Sequence, residues 1–262
     1  MITNLQFAQA VESIAPLKYQ YEWDNSGYNI VTHEGTDKVF VCLDVTLEAI
    51  EEAVSLGCDT ILSHHPVFFH AAKALKFDDP VTAPAVSAVK NNLNVYCAHT
   101  SCDCSPNGLN LELAKRLNLD SPKIFAEEGE GYGIGFIGEL LSPVTSENFA
   151  KTVKEALKVE RLRYVPINRE VKRVVVCGGA CGDMYKDAVL SGADAIISGE
   201  AKHNEFIEAK TAGIMLIDAG HYETEIGFLK TMGEGLQNVF ESLKYNVCVE
   251  VYKNSAPPYK AI

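Results

Sequence analysis

Residues 39–63 read VFVCLDVTLEAIEEAVSLGCDTILS, and residues 174–198 read VVVCGGACGDMYKDAVLSGADAIIS. The two stretches align without a gap at an offset of 135 residues, and nine of the 25 pairs are identical. Among these are Val41/Val176, Cys42/Cys177, Gly57/Gly192, Asp59/Asp194 and Ser63/Ser198. Each copy reads as one physical unit. An apolar run, Val39–Leu43 or Val174–Cys177, has the character of a buried strand. A helical stretch follows, with apolar residues at Ile50, Ala53 and Val54 in one copy and Tyr185, Ala188 and Val189 in the other. Gly57 and Gly192 stand where a helix ends in a residue of positive φ. A second apolar run, Thr60–Leu62 or Ala195–Ile197, is the next strand. Strand, helix and strand in this order make a parallel pair with a right-handed crossover. Unrelated βαβ units would not keep one register through all four features, so the pattern reads as an internal duplication.

The expected fold class is therefore α/β: two related α/β domains, each with a mixed or parallel sheet flanked by helices. The first is expected at 1–125 and the second at 126–245. The stretch 127–140, EEGEGYGIGFIGEL, holds five glycines and reads as the linker. The last apolar alternation, Tyr245–Tyr252, reads as a strand that can return to either sheet, so residues 245–254 can join the first domain. The tail NSAPPYKAI is expected to be extended.

A chain of 262 residues buries a core without disulfide or metal staples. Its formal charge of −12 disfavours nucleic acid and anionic membrane as partners. No apolar run approaches the roughly 18 residues of a membrane span. The N-terminal stretch has no basic segment followed by an apolar one, so no signal peptide is read. The expected location is cytoplasmic, with the eight cysteines as thiols or ligands.

In open α/β sheets ligands bind beyond the carboxyl ends of the strands. His64-His65-Pro66 follows the run 59–63, and His99-Thr100-Ser101-Cys102-Asp103 follows 93–98. Gly199-Glu200 follows 194–198, with His203 three residues on. Asp218-Ala219-Gly220-His221 follows 214–217, with Glu225 at i+4 from His221. Five of the seven histidines thus sit at strand ends, where scatter over helices and loops is the alternative. Adjacent His64 and His65, in an extended segment held by Pro66, are expected to point to opposite sides and so to serve two ions, or one ion and a substrate. His221 and Glu225 share one helix face, where a carboxylate can bridge two cations. Asp103 adds a hard oxygen, and His99 reads as a further ligand or an orienter. Mixed nitrogen and carboxylate donors suit Zn, Fe, Mn, Co or Ni better than Mg or Ca. Cys42 and Cys177 read as core thiols, and Cys102 and Cys104 as no clear ligand pair. The single tryptophan, in Trp23-Asp24-Asn25-Ser26-Gly27, reads as a packed indole over a turn, with a place at the edge of a cleft as the alternative. There is no GxGxxG after a strand, no Walker lysine, no GxSxG and no zinc-finger or RNP spacing.

Taken together, WDNSG at 23–27, LDVT at 43–46, SHHP at 63–66, HTSCD at 99–103, SGEAKHNE at 198–205 and DAGHYETE at 218–225 resemble the NIF-three-like family from end to end. Its members are also called GTP cyclohydrolase 1 type 2 homologs or dinuclear metal centre proteins. The usual HTNLD reads HTSCD here, with the aspartate kept. The resemblance implies two divalent metal ions per chain, held by His64, His65, Asp103, His221 and Glu225. It implies the short form, without an inserted domain, and a ring-shaped homohexamer. On these grounds the expected function is a metal-dependent hydrolase, GTP cyclohydrolase type 2-like by name, with its site in the interdomain cleft. Glu200 and His203 would be its general acid or base, and His99 a catalytic orienter. The alternative is a non-enzymatic metal-handling protein, a metallochaperone, or a ring-shaped adaptor. The substrate and the relevance of GTP stay open, for no purine-reading motif is present.

Overall fold

A computed structural model of the chain describes residues 1–260. The chain divides into two compact units. The first comprises Met1–Cys102 and Phe228–Ser255, and the second begins at Asp103, runs to Gly227 and takes up the chain again from Ala256. Elements of the first unit are α1 (Asn4–Glu12), β1 (Gly27–Ile30), β2 (Lys38–Cys42), α2 (Leu47–Ser55), β3 (Thr60–Ser63), α3 (Ala83–Lys90) and β4 (Asn94–Cys97), followed by α4 (Thr100–Asp103). The second holds α5 (Leu109–Arg116), β5 (Asp120–Gly129), β6 (Tyr132–Val144), α6 (Ser146–Leu157), β7 (Arg163–Tyr164), β8 (Val171–Cys177), α7 (Tyr185–Leu190), β9 (Ala195–Ser198), α8 (His203–Ala212), β10 (Met215–Asp218) and α9 (His221–Glu225). The chain then returns to the first unit through α10 (Gly227–Ser242) and β11 (Cys248–Val251).

The fold class is α/β, with two sheets flanked by helices. In the first sheet the order is β1-β4-β3-β2-β11, with β1 antiparallel and the rest parallel. The second runs β5-β6-β8-β9-β10-β7, parallel only through β8, β9 and β10. The duplication is visible bond by bond. Val39 pairs with Thr60 and Cys42 with Ser63; at the same offset Val174 pairs with Ala195 and Cys177 with Ser198. Asp59 Oδ2 accepts the Asp37 and Lys38 amides at 2.8 and 3.2 Å. Asp194 Oδ2 accepts those of Lys172 and Arg173 at 3.0 and 2.9 Å. Each aspartate thereby fastens the start of one strand to the start of the next. Gly57 and Gly192 have φ of +69° and +72°, as the helix ends require.

Period-two alternation decides which strand residues face which helices. Phe40, Cys42, Ile61 and Val95 pack with Ile50 and Ala53 of α2 and Ala85 and Ala88 of α3. On alternate positions Tyr96 meets Phe7 of α1 edge-on, ring centroids 5.8 Å apart. In the second sheet Val174, Val176 and Ile197 pack with Leu113 of α5 and Phe149 and Val153 of α6. Val175, Ile196 and Leu216 face Ala188 of α7 and Ala209 of α8.

Two features differ from the sequence reading. The glycine-rich stretch 127–140 is not a linker. It forms the turn and inner strand of the β5–β6 hairpin, with Ala126 opposite Ile134 and Glu127 opposite Gly133. The division accordingly falls between Cys102 and Asp103 instead of 125 and 126, because α5 already packs on β6 and β8. Strand β11 pairs with β2 in the first sheet. Among the described residues, no helix is long and apolar enough to cross a membrane. Seven of the eight cysteines are buried, and Cys248 is exposed.

Candidate metal centre

In the first unit, the histidines at the ends of β3 and β4 converge. Ser63 Oγ donates to the His65 carbonyl at 2.7 Å. The His64 and His65 amides both donate to the Leu43 carbonyl, at 3.1 and 2.9 Å. Capture of two successive amides by one carbonyl bends the chain, so the rings do not diverge as an extended segment would require. Their centroids lie 4.9 Å apart. His99 stands 5.3 Å from His64 and 5.5 Å from His65 by the same measure. One ring nitrogen from each of the three lies within 4.8 Å of the others, a grouping that could hold a metal ion.

Each of these rings is held at Nδ1 by an oxygen. His64 Nδ1 meets the Ala98 carbonyl at 3.1 Å, His65 Nδ1 meets Asp44 Oδ1 at 2.8 Å, and His99 Nδ1 meets Asp24 Oδ1 at 2.8 Å. A carbonyl or carboxylate only accepts, so Nδ1 carries the proton and the lone pair belongs to Nε2. Oxygen partners of this kind fix ring orientation and raise ligand basicity. Asp24 is itself firmly seated, with its side chain 1% exposed. Its Oδ2 accepts from the Thr100 amide at 3.0 Å, Thr100 Oγ1 at 2.6 Å and Ser26 Oγ at 2.8 Å. Burial pushes its carboxyl up, but the hydrogen bond and charge of His99, with Thr100 and Ser26, outweigh that and hold it well below the usual carboxylate range.

Trp23 differs from the expected packed indole. It is 65% exposed, stacked on Tyr21 and edge-on to His99 at 5.9 Å. Exposed Phe69 stands 5.9 Å from the His65 ring and 5.6 Å from that of His99.

The second unit carries its own donors. His221 opens α9, with Nδ1 at 2.9 Å from Glu200 Oε1 and Nε2 at 3.1 Å from Glu225 Oε2. The i, i+4 spacing places both side chains on one face, as read from the sequence. Glu225 is buried, and its carboxylate needs Gly179: a Cβ there would stand 2.5 Å from Glu225 Oε1, and φ is +70°. The Gly179 amide donates to Thr224 Oγ1 at 3.2 Å, and the Gly178 amide to Asn110 Oδ1 at 2.8 Å. Asn110 Nδ2 in turn donates to the Asp103 carbonyl at 3.1 Å. The turn after β8 thus holds Asn110, which binds the Asp103 carbonyl, and the hydroxyl of Thr224, the neighbour of Glu225 in the chain. Asp103 belongs to this unit, not to the first as the expected boundary implied.

Glu200 is engaged as the partner of His221 Nδ1. The duplication explains the position: Ser198 Oγ donates to the Glu200 carbonyl at 2.9 Å just as Ser63 does to that of His65. His203 is exposed at the start of α8, and no hydrogen bond, ion pair or ring contact among the described residues ties it to His221 or Glu225. Sequence reasoning passed over Asp24 and Asp44 as orienting residues. Asp44 ends the β2 run and Asp24 lies in WDNSG, so acids as well as histidines at strand ends and in those motifs were the available signal. Cys42 and Cys177 are buried thiols. Burial pushes Cys42 up, and a hydrogen bond with Cys181 together with burial does so for Cys177, which keeps both protonated and unsuited to bind metal. The groupings that could hold a metal ion consist of imidazole nitrogens and carboxylate oxygen, donors that suit a borderline divalent ion.

Two helix-flanked sheets, a repeated βαβ unit and histidine–carboxylate clusters at the strand ends define a class: duplicated α/β proteins with donor groups able to take a metal ion. The chain belongs to the Duf34/NIF3 (NGG1p interacting factor 3) family, whose model matches residues 3–258. A Clostridium perfringens protein named GTP cyclohydrolase 1 type 2 homolog is 31% identical over 256 residues, 96% of this chain and 97% of its own. NGG1-interacting factor 3 of Saccharomyces cerevisiae is 28% identical over 264 residues, 90% and 91% of the two chains. The crystal structure of a hypothetical protein from Staphylococcus aureus has a TM-score of 0.93 at 26% identity, covering 100% of this chain and 99% of that one.

Proposed function

We propose that the chain is a dinuclear divalent-metal protein acting as a metal-dependent hydrolase, with His64, His65, Asp103, His221 and Glu225 supplying the donors. The observation that carries this reading is that His64, His65, His99 and His221 are each held at Nδ1 by an oxygen. Histidines that only pack do not need four such arrangements at equivalent strand ends; histidines that ligate do. The chemistry such ions supply when bound is Lewis acidity, which polarises a scissile bond and lowers the pKa of water. Around it, Asp44 and Glu200 keep His65 and His221 in one tautomer, and Asp24 does so for His99. In this reading Glu200 is a positioning residue, and the acid–base role first assigned to it and His203 passes to neither. Zn, Fe, Mn, Co and Ni are the candidate ions, and a homohexamer in the cytoplasm is the proposed form.

Elemental analysis after reconstitution with each ion is the direct test. The reading expects about two ions per wild-type chain, in line with two-metal hydrolytic sites, and fewer in His65→Ala and Glu225→Gln. Full occupancy in Glu225→Gln would remove that residue from the ligand set. Turnover of a phosphoester and nucleotide panel by the loaded protein, lost in His65→Ala, supports the hydrolase; tight metal binding with rapid exchange and no turnover favours the metal-handling alternative.

A further inference from the structure

Against a formal charge of −12, residues 151–163, KTVKEALKVERLR, carry five basic side chains and two acidic ones. The run covers the end of α6 and leads into β7. Two cavities of the second unit open on it. One, about 880 Å³, is lined by Lys151, Lys154, Arg161, Arg163 and Tyr164 among others. The other, about 690 Å³, takes in Arg116, Lys158 and Lys260. Glu160, Arg161, Gly220 and Tyr259 line both, so the two are lobes of one groove. Seven basic side chains line it against four acidic ones.

The acids do not absorb this excess. Glu147 is paired with Lys151 at 2.7 Å, and Asp218 with Arg163, which also lies over the Phe206 ring at 5.0 Å. Glu223 accepts from Tyr259 OH at 3.3 Å. Lys154 and Arg161 have no ion-pair partner among the described residues. Like charges gathered in a concavity repel one another, and the wall focuses their field on whatever enters. An arginine fork and an ammonium suit phosphate oxygens, and tyrosine rings beside them offer apolar faces and hydroxyls. Both lobes have the size of a small-molecule pocket, and the net negative charge of the chain opposes a long polyanion.

We propose that this groove binds a phosphorylated small molecule, with Lys154 and Arg161 as its phosphate contacts. Gly220, which lines both lobes, is the residue before His221. A phosphate ester held at Arg161 would therefore be the substrate class of the metal centre; that last step rests on the proposed function, whereas phosphate binding does not.

The test is calorimetric titration of inorganic pyrophosphate into EDTA-stripped full-length protein. Wild type should bind saturably. Lys154→Ala/Arg161→Ala should lose at least about tenfold, or about 1.4 kcal/mol, while the charge-matched Lys73→Ala/Lys90→Ala keeps wild-type affinity. Arg161→Lys, which preserves charge, should fall between. Absence of saturable binding to wild type, or equal affinity in the groove variant, overturns the proposal. So does loss of pyrophosphate binding in His65→Ala, which would put the anion on the metal donors instead. Failure of the metal reading would appear in metal content alone and leave these titrations unchanged.

Discussion

Asp24 Oδ1 receives the Nδ1 proton of His99 at 2.8 Å across 75 residues of sequence. The same carboxylate ties down the Thr100 amide and hydroxyl, so one buried acid positions both the imidazole and the first turn of α4. Asp24→Asn removes the charge from this set. Hydrogen bonds to a charged group contribute about 1.5–3 kcal/mol each, so a loss of about 2–4 kcal/mol is expected. Because the folded-state pKa lies below the ordinary value of 3.8, Asp24 stabilises above that pH and loses its contribution as pH falls through the depressed value. Urea midpoints of metal-free wild type and variant should therefore differ most near neutral pH and converge below about pH 4. A gap that stays constant into acid would show that the carboxylate charge is not the cause.

Glu200 and His203 make opposite predictions. Losing the partner of a ligating imidazole costs about 10–100-fold in metal affinity, so Glu200→Gln should weaken binding by that factor with little change in fold. His203→Ala should leave affinity at the wild-type level. Competition titration against a chromogenic chelator reads both, and a reversed order would contradict the positioning role of Glu200.

Gly179 and Gly192 share a left-handed backbone but not surroundings. A Cβ on Gly192 meets nothing within 4 Å, whereas one on Gly179 meets Glu225 Oε1 at 2.5 Å. Gly192→Ala should cost only the conformational penalty of about 1–2 kcal/mol. Gly179→Ala should cost more and also displace Glu225, lowering metal content. Thermal melts and elemental analysis of the two variants separate these effects; equal behaviour in both would mean that Glu225 tolerates the added methyl group.

The duplicated aspartates should be comparably important. Asp59→Ala and Asp194→Ala each leave two strand-end amides without their carboxylate. About 2–4 kcal/mol is expected for each. Chemical denaturation followed by far-UV circular dichroism measures it, and a marginal effect in either would show that water replaces the carboxylate there.

Much of this was legible in the chain. The match of 39–63 with 174–198 predicted two βαβ units, and their hydrogen-bond registers coincide pair by pair. The i, i+4 spacing of His221 and Glu225 predicted one face, because a helix repeats every few residues whatever surrounds it. The stretch 127–140 reads as a linker but forms a hairpin, since glycine abundance marks turns, bulges and close strand approach as readily as flexibility. The paired bend at His64-His65 was also hidden. It depends on the Leu43 carbonyl, which only strand pairing brings within reach.

The sequence by itself determined the repeated βαβ unit, the strand ends that carry histidines, and the chemical type of the donors. These follow from local periodicity and side-chain identity, which need no knowledge of distant contacts. Only the tertiary structure decided that His64, His65 and His99 converge, that Asp24, Asp44 and Glu200 hold ring nitrogens, and that basic residues of 151–163 line a groove. Each is a long-range meeting, set by which strands pair and which helices pack, and hydrogen bonds of 2.8–2.9 Å leave no latitude for a guess from spacing alone.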